Sequence, residues 1–168
     1  HTQRTFRTFK PLVIRIDEVG HAAAVSYDSL TYTPQAPELK YFLVQFVTMH
    51  YSRMRATIRQ QYAQSLYFLD GRLADATMEA NRQSGLIERF LTSGAEEVDV
   101  RVKNVTLEDL RQPPYRATVD FEKVYLFPNS HAGYYPGAKM IALKVVFRKS
   151  DGRLLGAKAL GEHLRPNT

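Results

Sequence analysis

The chain has 168 residues and a mass of 19.2 kDa, with 44% hydrophobic and 24% charged residues, the balance of a folded globular chain rather than a disordered one. It has no cysteine, which excludes disulfides, thiolate zinc sites and a cysteine nucleophile, and no apolar run approaches the ~18 residues that span a bilayer. Lys and Arg outnumber Asp and Glu by 23 to 17, and the excess of +6 is spread along the sequence rather than gathered into one tract. The chain opens at His1 with neither methionine nor a signal-peptide pattern, so it reads as an excised fragment, in which any targeting or anchoring segment upstream would be invisible.

In chain order, Phe9, Leu12, Ile14 and Ile16 fall mostly on one alternating face and predict a short strand. Asp17-Glu18-Val19-Gly20 reads as a turn and Ala22 to Val25 as a returning strand, followed by a connector from Ser29 to Pro37. Pro37 suits a first helical position, and Glu38 complements the positive end of the helix dipole. Leu39, Phe42, Leu43, Phe46, Val47, His50, Met54 and Ile58 then recur at three- and four-residue steps, an amphipathic helix with Lys40, Thr48 and Arg55 on its wet face. Thr57 and Gln60 resemble a capping box that starts a second helix carrying Tyr62, Leu66 and Leu69 and ending near Asp70-Gly71. Two shorter helices are expected at 72–82 and 84–92, with Ser93-Gly94 as the stop.

After Gly94 the period changes to two. Val98, Val100 and Val102 alternate with Asp99, Arg101 and Lys103, and the slip at Asn104-Val105 predicts a bulge. Pro113-Pro114 marks a turn before Tyr115, Ala117, Val119 and Phe121. A third strand presents Ile141, Leu143, Val145 and Phe147, and Asp151-Gly152 signals a hairpin into a fourth strand from Arg153 to Leu160. Helices grouped before an antiparallel meander define an α+β fold.

The candidate chemistry is sparse. None of the five histidines has a metal-ligand spacing partner, and His50, on the apolar stripe, is expected to be a buried or half-buried structural residue. Arg53, Arg55 and Arg59, with Tyr51, Tyr62 and Tyr67 nearby, form the sharpest basic feature, read either as a solvated helix face or as a contact surface. Asp70, Asp75 and Glu79 have the spacing of a carboxylate pair, and equally of a helix cap followed by a surface row. Ser130 to Ala138 makes a shaped loop with Tyr134 and Tyr135, a surface turn or a contact for a partner chain. The expected sets of catalytic, cofactor-binding and metal-ligating residues are empty, and the interaction candidates are Arg53, Arg55, Arg59, Tyr134 and Tyr135.

Two stretches resemble known families. Pro37-Glu38-Leu39-Lys40-Tyr41-Phe42-Leu43, His50-Tyr51-Ser52-Arg53-Met54-Arg55-Ala56-Thr57, Ser65-Leu66-Tyr67-Phe68-Leu69-Asp70-Gly71-Arg72-Leu73-Ala74-Asp75-Ala76, Val102-Lys103-Asn104-Val105 and Pro114-Tyr115-Arg116-Ala117-Thr118-Val119-Asp120-Phe121-Glu122-Lys123-Val124-Tyr125 resemble TrbF and its relatives, the VirB-type inner-membrane assembly factors of type IV secretion and conjugation, over about residues 12–125. The resemblance implies a fold similar to nuclear transport factor 2, a curved antiparallel sheet with helices on its concave face. It also implies a periplasmic domain at 1–168, tethered to the inner membrane by a helix absent from this chain. The function it implies is a non-catalytic scaffold that contacts other channel components, forms a homodimer or higher homo-oligomer, and needs neither cofactor nor direct nucleic-acid binding. Alanine at Arg53 and Arg55 is then expected to lower transfer without unfolding the domain.

Residues 124–161 resemble instead the dimerisation domain of coenzyme A-disulfide reductase and NADH oxidase flavoenzymes, through Ser130-His131-Ala132-Gly133-Tyr134-Tyr135-Pro136-Gly137-Ala138, Leu143-Lys144 and Gly152-Arg153-Leu154-Leu155-Gly156-Ala157. The flavin-binding glycine motif and redox cysteine of those enzymes are missing. The tail also lacks the Asn-Pro-x-Gly turn of the TrbF relatives, which marks 126–168 as an atypical or fused C-terminal segment whose two strands would still complete the sheet. Two alternatives therefore stand beside the scaffold: a small-ligand or enzymatic cone-fold domain with Tyr62, Tyr67 and His50 inside, and a fragment related to the flavoenzyme dimerisation domain.

Overall fold

The period-two segments after Gly94 pair in chain order. In the computed structural model, which describes residues 12–16, 22–26, 33–126 and 138–164, strands β3 (Glu97–Leu107), β4 (Tyr115–Leu126), β5 (Ala138–Phe147) and β6 (Leu154–Leu164) form an open antiparallel sheet of order β3-β4-β5-β6. A separate antiparallel hairpin joins β1 (Leu12–Ile16) to β2 (Ala22–Ser26). Four helices, α1 (Ala36–Tyr51), α2 (Ile58–Ser65), α3 (Gly71–Ser84) and α4 (Leu86–Thr92), lie between the hairpin and the sheet in sequence, with a 3-10 turn at Leu66–Phe68. The class is α+β, as the order of periodicities predicts.

The expected bulge is present. Val102 pairs with Phe121 and Asn104 with Asp120, so Lys103 is the extra residue. It lets Val98, Val100 and Val102 share a face with Val105 and Leu107, although the two sets differ in parity. Against that face α1 buries Leu39, Leu43, Phe46 and Val47, which join Val119, Phe121, Ile141, Leu143, Val145, Phe147 and Leu154 in the main core. Each such side chain contributes roughly 1.5–3 kcal/mol. A second cluster of Ile58, Tyr62, Ile87 and Phe90 holds α2 against α4. Both strands of the 126–168 segment extend the same sheet, β5 pairing along β4 from Tyr115↔Phe147 to Val124↔Ala138.

The first expected helix ends early. Met54 and Ile58 continue the spacing of the apolar stripe, but α1 stops at Tyr51. Ser52 is extended (φ −65°, ψ 145°), and its hydroxyl donates back to the Thr48 carbonyl. Arg53 then pairs both ways with Val98, each N–H to the other's carbonyl at 2.9 Å. Pairing with the end of β3 thus ends the helix, and Ile58 belongs to the second cluster. Thr57 stands at the N-cap of α2 without a side-chain bond, so the capping box is not formed. Arg55, expected on the wet face of α1, falls in the turn after it.

The β5–β6 hairpin also differs from its signal. Arg148 N–H bonds the Arg153 carbonyl and Gly152 N–H the Arg148 carbonyl, so Asp151-Gly152 closes a four-residue loop rather than forming a two-residue turn. Gly152 has φ +75°, and a Cβ there would lie 3.0 Å from Phe42 Cδ2 and 3.2 Å from Leu39 Cδ2. The hairpin tip is thereby packed on the first turns of α1.

Candidate functional site

The densest group of perturbed ionisable side chains lies where α1, α2 and β3 meet. His50 stacks between Phe46 and Tyr62, at centroid distances of 5.0 and 5.3 Å, and meets the edge of Tyr51 at 5.1 Å. Its Nδ1 is 3.0 Å from Ser65 Oγ, which donates to the Tyr62 carbonyl at 2.6 Å. The serine has one proton and gives it to that carbonyl, so it accepts from His50, which fixes the Nδ1–H tautomer. Burial, with the Arg53 charge adding to it, lowers the His50 pKa to about 4, so the ring is neutral at pH 7. Burial likewise raises Tyr51 and Tyr62 and lowers Arg53, while the Arg53 charge beside the two tyrosines works against each of these shifts.

This group has the parts of a serine–histidine pair without the geometry of one. Ser65 is fully buried and its proton is committed to a main-chain carbonyl, so its oxygen cannot reach a substrate. The cluster instead joins two helices. The expectation for His50 is met in its bland form, a half-buried structural ring.

The three arginines divide. Arg53 donates from Nη1 to the carbonyls of His50 at 2.6 Å and Ser52 at 2.9 Å, so its guanidinium caps the negative end of α1. Arg55 donates to the carbonyls of Ser93, at 3.2 Å, and Ala95, its own N–H bonds Glu97 Oε2 at 2.8 Å, and its guanidinium covers the Phe90 ring at 4.8 Å. Both side chains are engaged inside the molecule. Arg59 alone is on the surface, paired with Glu88 at 2.8 Å. Tyr134 and Tyr135 lie outside the described residues, as does the rest of their loop up to Gly137.

The carboxylate row resolves into a cap. Asp70 accepts the Arg72 N–H at the start of α3, and Arg148 donates to it at 2.9 Å while holding Asp151 at 2.7 Å. The Arg148 hydrogen bond is the main reason Asp70 stays below the usual carboxylate range. Asp70 N–H bonds the Leu154 carbonyl, so this node ties α3 to β6. Glu79 pairs with Arg82 and Gln83 along the helix surface. Of the residues expected inside a ligand cone, Tyr62 is buried against His50, but Tyr67 is 78% exposed and points away from any interior. Among the described residues no three His, Asp or Glu side chains gather to hold a metal ion, and no helix is long and apolar enough to cross a membrane.

A feature that sequence reasoning missed lies on the opposite face of the sheet. A groove of about 450 Å³ is lined by Arg116 on β4, Lys144, Val145 and Val146 on β5, and Gly156, Ala157 and Lys158 on β6, with Glu108 and Ala117 completing it. Lys144 and Lys158 are register partners. A two-residue Asp-Gly turn would have set Lys144 across from Ala159, so the sequence signal pointed one residue away. The wider loop, and a slip in register that leaves Leu155 unpaired, bring the two lysines together.

No family model matches the chain, and no curated protein matches it.

Proposed function

We propose that this chain is a non-catalytic assembly component of a type IV secretion or conjugal-transfer channel, acting through protein–protein contacts. On this reading the α+β body is of the nuclear transport factor 2 type, stands in the periplasm of a bacterium, is tethered by an upstream inner-membrane helix, and self-associates beside other channel components.

The observation that carries the reading is where the TrbF-like phrases fall. His50 to Thr57 is the joint at which α1 gives way to the edge of β3. Ser65 to Ala76 spans the buried serine of that joint, the 3-10 turn and the Asp70 cap bound to Arg148. Pro114 to Tyr125 covers β4, whose Ala117, Val119 and Phe121 lie in the core. The shared phrases are thus the residues that fasten helices to sheet, as a shared fold would require. A scaffold reading also fits the structural role of the His50–Ser65 contact.

The test is deletion of the gene in a donor strain, with transfer frequency measured by mating and the tagged protein co-purified from envelope membranes. The expected result is loss of transfer by orders of magnitude, restoration by the cloned gene, and recovery of channel components with the tag. Undiminished transfer in the deletion strain would refute the proposal.

A further inference from the structure

The geometry points to the groove on the outer sheet face as the docking site for an acidic, extended segment of a partner protein, laid beside edge strand β6. This deepens the channel reading by giving the chemistry of one partner, and it rests on that reading only for the partner's identity.

Charge is the first support. Arg116, Lys144 and Lys158 line the groove from three neighbouring strands, opposed among the described lining residues by Glu108 alone, and all four are exposed. Among the described residues none of these four side chains forms an ion pair or hydrogen bond. Lys144 and Lys158 face each other directly in the β5–β6 register, an arrangement that disfavours the sheet. An anionic partner turns that repulsion into an attraction shared by both ammonium groups.

The sheet edge is the second. Among the described residues β6 is paired as a strand with β5 only, and its other side is taken at Leu154 by the bridge to Leu69 and the Asp70 N–H; beyond that bridge its N–H and C=O groups face the position of an added strand. Leu155 and Leu160 are 46% and 42% exposed on the same strand. Val146 and Gly156 give the groove an apolar floor. A free phosphate or small organic anion would engage the cations and nothing else. Single-stranded nucleic acid is bound where aromatic rings stack its bases, and among the described residues no aromatic side chain lines this groove. A peptide alternating carboxylates with apolar side chains engages the cations, the floor and the edge together.

Gly156 makes the test clean. A Cβ there would meet nothing within 4 Å, and its φ lies outside the left-handed region, so Gly156→Glu fits without strain and puts a carboxylate among the three cations. The probe is a fluorescein-labelled Val-Glu repeat peptide, with a Val-Lys repeat and an oligo-dT strand as comparators, read by fluorescence anisotropy on the whole chain. The expected result is binding of the Val-Glu peptide that weakens with added salt, no binding of the Val-Lys peptide, and at least tenfold weaker binding in both Gly156→Glu and Lys158→Glu. The melting temperatures of both variants should equal or exceed the parent's, because each adds an attraction to Lys144. Failure to bind the Val-Glu peptide, unchanged affinity in Gly156→Glu, or tighter binding of oligo-dT through the same residues would overturn the proposal. In the mating assay, full restoration of transfer by the Lys158→Glu gene sinks this surface and leaves the channel reading standing. Peptide binding together with undiminished transfer in the deletion strain sinks the channel reading alone.

Discussion

Replacing Gly152 by alanine tests whether the hairpin tip is packed on α1 as described. Two costs add. A left-handed φ of +75° costs an L-residue about 1–2 kcal/mol, and forcing a methyl group to 3.0 Å from Phe42 and 3.2 Å from Leu39 costs about 1–3 kcal/mol more. Loss of glycine's freedom in the unfolded chain returns roughly 0.4–1 kcal/mol. The net destabilisation is about 1–4.5 kcal/mol, a large part of the 5–15 kcal/mol typical of a folded domain. Urea unfolding followed by circular dichroism reads it as a lower midpoint at constant slope. Gly152→Asn separates the terms, because asparagine tolerates the left-handed region but still carries the Cβ. Phe42→Ala separates them the other way, removing the nearest ring, leaving the Leu39 contact and lowering the cost of Gly152→Ala in that background toward the left-handed φ cost of about 1–2 kcal/mol. A cost below about 0.5 kcal/mol, or one unchanged by Phe42→Ala, would refute the packing argument.

His50 should titrate near 4 by NMR, with its proton on Nδ1 above that value. The folded value lies below the ordinary 6.5, so the unfolded chain takes up the proton first on acidification. Stability is therefore full above about 6.5 and falls as pH drops toward 4, by at most about 3 kcal/mol; His50→Phe should flatten that slope, and a midpoint near 6.5 would count against the burial described. Asp70 is lowered from 3.8, so its contribution is present above that value and is lost as pH falls through the folded value. The melting-temperature difference between the parent and Asp70→Asn should accordingly shrink on acidification below pH 4, and a difference that does not shrink would exclude the ion pair as its source. Arg53→Ala should cost about 1.5–3 kcal/mol by removing charge-assisted bonds at the end of α1. Arg59→Ala should cost less than about 0.5 kcal/mol, because its pair with Glu88 is solvated; equal losses in thermal melts would contradict this division. Lost transfer in Arg53→Ala would then report a weakened fold before a missing partner contact.

Much of the fold was legible because burial of one face imposes a period of two. Ile141, Leu143, Val145 and Phe147 are all core residues, as their alternation predicts, and the slip at Asn104 announced the bulge at Lys103. The break in the first helix was not legible, since Met54 and Ile58 keep the helical spacing while the decisive event is the pairing of Arg53 with Val98, 45 positions later in the chain. The same distance problem hides both polar nodes. Ser65 is the partner that gives His50 its tautomer, and Arg148 is the one that holds Asp70, 78 residues away. Neither pairing has a local signature, and both arise only once helices and strands are docked.

The basic groove shows how narrowly such a site depends on register. Lys144 and Lys158 are unremarkable as separate lysines in two alternating strands. They oppose each other because the β5–β6 loop holds four residues and the register slips past Leu155. A two-residue turn without that slip would have placed Ala159 across from Lys144 and Lys158 across from Val145, whose side chain is buried in the core. The lysine would then have been turned toward the α1 face, where its charge would lose hydration. A four-residue loop alone would not change this, since it shifts the pairing by two and sets Lys158 across from the equally buried Leu143. The slip past Leu155 therefore keeps Lys158 on the solvent face, while the four-residue loop packs Gly152 onto α1, so the charge pattern of the groove and the stability of the hairpin tip rest on two separate features of one connection.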